Sequence, residues 1–281
     1  MKRRTITFVI NKSTEDAQIR AAADAAFESG DHLLCLLLES APSLPTYFYG
    51  GFTYGGLVVP DDWSNVIATA KGELKERVDQ IEQVLAKTGA SGDVQPAMCV
   101  GVDIKHHVAR AARVSDEVHF ASSLRETPEF LREAAAGVLF LSPVGFLLNG
   151  SAGLKPQNVI VAWDSSKAAA SAVHAALPYL LDAKEVVIAC IDPVGTAEQG
   201  GQDPGADVAA WLSHHGCTVT LSQFPSGGRA VAACLQDRAR DLGSDLVVMG
   251  AYGHARMIQT VFGGTTREMM DQTTLPVLFA H

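Results

Sequence analysis

The sequence predicts an α/β protein of two tandem, doubly wound, mostly parallel five-stranded sheets. Three observations predict it. Short apolar runs alternate with longer segments of helical spacing along all 281 residues. The runs are continuous in apolar character, as in strands buried on both faces by flanking helices. The order of runs and helices then repeats, so that two domains over 1–148 and 156–281 fit the usual domain size.

In the first half, 5–10 reads as a buried strand and 15–27 as an Ala-rich helix. A strand follows at 32–38, a long charged helix at 63–87 and a strand at 94–100. Then come a helix at 104–113, a short strand at 117–121, a helix at 126–136 and a fifth strand at 137–141. In the second half, strands are expected at 158–163, 185–191, 218–222, 245–250 and 276–280. Helices fill 168–181, 206–215, 230–241 and 265–272 between them. Each half thus reads βαβαβαβαβ, the pattern of right-handed crossovers in a doubly wound sheet. The joint at 148–156 carries Asn149, Gly150, Ser151, Gly153 and Pro156, all turn or linker residues. Residues 41–62, rich in Pro, Gly and Tyr, exceed a usual connection and read either as a lid or contact patch or as a surface loop packed on its own domain.

Composition narrows the function. A net charge of −9 repels phosphate backbones, so nucleic acid is not an expected partner. No apolar stretch approaches the ~20 residues of a membrane helix, and the run 138–148 is interrupted by Ser142, Pro143 and Gly145. The opening residues 1–11 lack the pattern of a signal peptide, and the expected location is cytoplasmic. The five cysteines (Cys35, Cys99, Cys190, Cys217 and Cys234) form no CxxC pair and read as reduced, buried, space-filling residues.

Two segments carry candidate chemistry. The apolar strand 246–249 ends in Gly250, followed by Ala251, Tyr252 and Gly253, and after nine more residues by Gly263, Gly264, Thr265 and Thr266 at a helix start. Ligands of open α/β sheets bind beyond the carboxyl ends of strands, where glycines expose backbone N–H groups and a helix N-terminus favours an anion. The two threonines either donate to phosphate oxygens or cap the helix. The second segment runs from Val161 and Ala162 through Trp163 into Asp164, Ser165 and Ser166. Asp164 either accepts hydrogen bonds from an adenine or ribose or belongs to a helix-capping cluster. No G-x-S-x-G, H-E-x-x-H or complete Walker sequence occurs. The adjacent pairs His106-His107 and His214-His215 point apart and make poor chelates. One carboxylate does not make acid–base machinery, so efficient turnover is not expected.

The spacing Gly250-x2-Gly253-x9-Gly263-Gly264-Thr265 resembles the phosphate signature of the universal stress protein family, Gly-x2-Gly-x9-Gly-Ser/Thr. The segment from Val161 to Ser166 resembles that family's first-strand motif, and the runs 245–250 and 275–278 resemble its last two strands. The resemblance implies a Rossmann-like sandwich of the adenine nucleotide alpha hydrolase type. It also implies binding of ATP or another adenine nucleotide, with or without Mg²⁺, in some members and none in others. The implied site comprises Ala162, Asp164, Ser165, Gly250, Tyr252, Gly253, Gly263, Gly264, Thr265 and Thr266. Arg256 and Arg267 are further candidates, and His254 lies within the loop. Gly264 departs from the pattern, standing where ATP-binding members usually carry a hydroxyl, unless Thr265 substitutes by a one-residue shift.

The first half departs further, with Asn11 in place of the acid and Ala121-Ser122-Ser123-Leu124-Arg125 in place of the glycine loop, so it reads as a degenerate repeat. Dimers of the family commonly pair through the last strand. By analogy, 137–141 is expected antiparallel to 277–280 as an intramolecular pseudo-dimer, with further homo-oligomers left open. The readings are thus a nucleotide sensor or store, an interaction protein with a vestigial site, or a weak nucleotidase.

Overall fold

The computed structural model describes residues 3–43, 61–193, 203–252 and 264–281. In the first half, β1 (Thr5–Asn11), α1 (Asp16–Ser29), β2 (His32–Ser40), α2 (Trp63–Thr88) and β3 (Ser91–Cys99) are followed by α3 (Gly101–Ala112), β4 (Glu117–Phe120), a 3-10 turn (Ser122–Glu126), α4 (Pro128–Leu141) and β5 (Phe146–Leu148). The second half comprises β6 (Asn158–Ala162), α5 (Lys167–Asp182), β7 (Glu185–Ile191), α6 (Ala206–His214), β8 (Val219–Phe224), α7 (Val231–Asp241), β9 (Leu246–Gly250), α8 (Gly264–Asp271) and β10 (Val277–Ala280).

All ten strands join one sheet, in the order β3-β2-β1-β4-β5-β10-β9-β6-β7-β8. The two five-stranded sets that the sequence predicts are joined edge to edge, through the expected pairing of their last strands. Neighbours run parallel except at the join, where β5 and β10 are antiparallel with Leu148 opposite Val277 and Phe146 opposite Phe279. Within each half the first strand lies beside the fourth, so each half has its own topological switch point, at β1/β4 and at β6/β9. Phe8, Val9 and Ile10 in β1, and Val159, Ile160 and Val161 in β6, are consecutive and buried, as strands covered on both faces must be.

One expectation is corrected. The run 137–141 is not the fifth strand but the last turns of α4, and β5 lies at Phe146–Leu148. Gly137 opens no turn. A Cβ there would come within 2.4 Å of the Lys105 carbonyl oxygen, so its bare Cα lets α4 lie against α3. The antiparallel pairing with β10 is as expected, through the displaced strand.

The two faces of the sheet are packed differently. On the face covered by α3, α4, α7 and α8, one apolar core runs through both halves, from Leu36 and Val9 through Phe146 and Phe279 to Met249 and Leu235. The rings of Phe120, Phe146 and Phe279 stack across the join at centroid distances of 4.4 and 5.1 Å. On the other face, α1 and α2 cover one cluster that includes Ile10, Ile19 and Ile81. A separate cluster that includes Val161, Val173 and Leu180 lies under α5 and α6.

A polar group bridges the halves at the amino ends of β1 and β4. Half-buried Glu117 accepts from the Tyr179 hydroxyl of α5, lies 3.0 Å from His119 Nε2 and pairs with Arg4 at 3.4 Å. Burial raises the Glu117 carboxyl, but His119, Tyr179 and Arg4 outweigh it and hold it below its ordinary value. All five cysteines are buried and unpaired, and burial pushes the Cys35 thiol up to about 12 and Cys190 up to about 11. Among the described residues, no helix is long and apolar enough to cross a membrane.

Candidate functional site

The β6/β9 switch point brings the two candidate segments to one edge. Ala162 ends β6 opposite Met249 of β9 and Ala189 of β7, and Trp163 N–H donates to the Ala189 carbonyl at 2.9 Å. The chain then leaves the sheet through exposed Asp164 and through Ser165, whose φ is +63°. Asp164 Oδ1 accepts from Ser166 N–H at 3.0 Å, and Ser166 Oγ accepts from Ala169 N–H at 3.1 Å. Both are capping bonds, so this cluster starts α5 as well as edging the site. Asp164 Oδ2 has no hydrogen-bond partner among the described residues.

Gly250 closes β9, and its lack of a side chain has a packing cause. A Cβ there would lie 2.5 Å from Ala169 N and 2.6 Å from the Ala168 carbonyl carbon, so the first turn of α5 lies directly on it. The next residue, Ala251, donates to the Ala280 carbonyl and accepts from His281 Nδ1, both at 2.8 Å. Tyr252 takes a φ of +63°, and its N–H donates to Thr266 Oγ1 at 3.4 Å. Its ring lies 5.0 Å from that of Phe140, and burial raises its phenol above the ordinary value. Thr266 is buried and holds the loop to the first turn of α8. Thr265 is half-buried and Gly264 exposed, with none of the described residues within 4 Å of where a Gly264 side chain would stand. Arg267 turns to Asp271 at 3.6 Å on the solvent side of α8.

The structure thus gathers Ala162, Asp164, Ser165, Gly250, Tyr252 and Thr266 at one sheet edge, with Gly264 and Thr265 on the amino end of α8. Gly253, His254, Arg256 and Gly263 lie outside the described residues, as do 44–60 of the aromatic loop. A cleft of about 420 Å³ opens elsewhere, along the join, between Pro143 and Val144 on one side and Lys167, Ser171, His174 and His281 on the other.

The register identifies the counterpart residues of the first half. Ile6 lies opposite Glu117 and Val9 opposite Phe120, as Val159 lies opposite Leu246 and Ala162 opposite Met249. Asn11 therefore stands where Asp164 stands, and Ala121 where Gly250 stands. Asn11 Nδ2 donates to the Ser123 carbonyl at 3.1 Å, while its Oδ1 accepts from the hydroxyls of Ser13 and Thr14 at 3.0 Å. Thr14 and Ser123 join hydroxyls at 2.7 Å, and Asn11, Thr14 and Ser123 are all buried. This edge is filled by its own side chains. Sequence reading found the loss of the acid and the glycines but not the network that replaces them, because Thr14 and Ser123 lie 109 residues apart.

No family model matches the chain, and no curated protein matches it by sequence. Solved structures do match. A universal stress protein from Archaeoglobus fulgidus DSM 4304 superposes with a TM-score of 0.64 at 14% identity, over 98% of this chain and 97% of that one. A functionally unknown protein from Pseudomonas aeruginosa PAO1 matches at a TM-score of 0.54 and 14% identity, over 99% of this chain and 92% of its own. Architecture is therefore shared end to end where sequence is not, and this chain has the universal stress protein fold.

Proposed function

We propose that the chain is a universal-stress-type protein whose second half binds a small adenine nucleotide, ATP or AMP, as a sensor or regulator in a stress response. The observation that carries this reading is the contrast between the two switch points. Asn11, Thr14 and Ser123 fill one edge, whereas at the other Asp164 keeps a carboxylate oxygen free of the described residues. In this reading Asp164 accepts from the adenine amine or a ribose hydroxyl. Backbone N–H groups at the amino end of α8, with Gly253 and Gly263 of the sequence motif, receive the phosphates, and the helix dipole favours their charge. Mg²⁺ would enter with the phosphates. The first half serves as a built-in pairing partner.

A second reading, an interaction protein with a vestigial site, is favoured by Gly264, which supplies no hydroxyl, and by Asp164 and Ser166 already capping α5. Denaturing the purified protein and analysing the released solutes by mass spectrometry, then titrating the apo protein calorimetrically with ATP and Mg²⁺, separates the two. Released or titratable adenine nucleotide is the expected result. Neither at millimolar nucleotide overturns the first reading. Steady phosphate release that disappears in Asp164→Ala would instead make the protein a weak nucleotidase.

A further inference from the structure

We propose that Arg125, a residue of the first half, is a positioning residue for α8, the helix whose amino end carries Gly264, Thr265 and Thr266. Its bearing on ligand affinity rests on the nucleotide reading above; its bearing on the helix does not. Arg125 lies in the 3-10 turn just beyond β4, four residues past Ala121, the counterpart of Gly250. The first half thus carries a cation in the stretch where the second half carries its loop after Gly250. The side chain crosses the join, and its Nη2 donates to the carbonyls of Met270 at 3.1 Å and Gln272 at 3.0 Å.

These carbonyls lie at and just beyond the carboxyl end of α8. A helix leaves its last four C=O groups without internal partners and carries partial negative charge at that end. A guanidinium donating there satisfies both requirements. Burial lowers the Arg125 pKa while nearby Asp271 raises it, and a guanidinium so placed remains charged. Asn149, also from outside the second half's sheet, donates from Nδ2 to the carbonyls of Gln272 and Leu275, both at 3.0 Å. The turn after α8 is therefore held from across the join by two side chains. Met269 and Met270 anchor the same helix in the shared core.

An eight-residue helix is about 12 Å long, about two turns of continuous backbone hydrogen bonding. Fixing its carboxyl end therefore fixes where its amino end points, and at that end Tyr252 N–H donates to Thr266 Oγ1 at 3.4 Å. The arrangement makes the second half's edge geometry depend on a residue of the half that has lost its own loop.

The test is hydrogen–deuterium exchange on the full-length apo protein, with Arg125→Ala and Arg125→Lys beside the wild type. Arg125→Ala is expected to speed exchange of the α8 amides at least tenfold while peptides from α3 and α5 keep their rates. Arg125→Lys, which retains a donor and a charge, is expected to restore much of the protection. Calorimetry with ATP and Mg²⁺ should show affinity at least fivefold weaker in Arg125→Ala and partly recovered in Arg125→Lys. Unchanged α8 exchange in Arg125→Ala overturns the proposal. So does a rise spread evenly over all peptides in both variants, which would make Arg125 a general stabiliser. A wild type that binds no ATP leaves the exchange result to decide the role of Arg125, and refutes the nucleotide reading separately.

Discussion

The carboxyl ends of β1 and β6 occupy matching places in one sheet and have opposite contents. At β1 an amide, the Thr14 and Ser123 hydroxyls and a backbone carbonyl satisfy one another in a buried knot, with exposed Ser13 at its rim. At β6 the register-equivalent carboxylate is exposed and uses one oxygen to begin a helix. One position differs in step with the scaffold. Ala121 carries its methyl into the cluster under α1 and α2, and α1 packs toward β2 and β3. Gly250 carries none, and α5 settles onto β9 and β10. The same strand order thus supports one edge filled by its own side chains and another at which the register-equivalent carboxylate is exposed, and the residue at the end of the fourth strand differs in step with where the first helix lies.

The largest test of this contrast exchanges those two residues. Gly250→Ala drives a methyl into the backbone of Ala168 and Ala169, and is expected to cost about 3 kcal/mol in urea unfolding. Ala121→Gly, the reverse change in the first half, is expected to cost about 1 kcal/mol, from backbone freedom and a lost methyl. Equal costs would show that the helices are placed by something other than this position.

Next in size is a pair of substitutions at the counterparts Asn11 and Asp164. Asn11→Ala leaves the Ser123 carbonyl and the Thr14 hydroxyl short of partners in a buried place, an expected loss of about 2 kcal/mol, with ATP affinity unchanged by calorimetry. Asp164→Ala should cost about 0.7 kcal/mol, from the lost bond to Ser166 N–H, and weaken ATP binding about tenfold, the equivalent of one charged hydrogen bond.

The polar group at the join responds to pH. The Glu117 carboxyl is held below its ordinary value in the fold. Its contribution is therefore present above the unfolded value of about 4.3 and is lost as pH falls through the lower folded one. Tyr179→Phe removes a donor to that carboxylate and is expected to cost about 1.5 kcal/mol at pH 7. The gap from wild type should narrow as pH falls below about 4; a gap independent of pH would assign the loss to packing. The smallest expected effect on stability, within about 0.5 kcal/mol, belongs to Gly264→Ser. It places a hydroxyl at the start of α8, where none of the described residues stands within 4 Å, and should tighten ATP binding several-fold if phosphate lies there. No change in affinity would favour the vestigial reading.

Much of the architecture was legible because strands buried on both faces write themselves as apolar runs, as Phe8 to Ile10 and Val159 to Val161 do. The exception, 137–141, shows the limit of local pattern. A glycine before an apolar run reads as turn then strand, and only the approach of Lys105 reveals a helix crossing. Asp164 and Gly250 were legible as residues of one edge, yet each also has a structural employment, in capping and in close packing, that spacing alone does not separate from ligand binding. Arg125 was visible only as part of a missing loop. Its acceptors lie 145 and 147 residues away, and such a bond leaves no periodicity to read.

The antiparallel pairing of β5 with β10 has a consequence for inheritance as well as for shape. Were the two halves separate copies of one chain, every substitution would appear at both edges at once, and an asparagine that closes one would close the other. Here the halves share a chain, so one edge can change while its counterpart is kept. Their association is also insensitive to dilution, since a short tether holds a neighbour at an effective concentration on the order of millimolar. Joining the edges within one chain frees Asn11 and Asp164 from being the same residue.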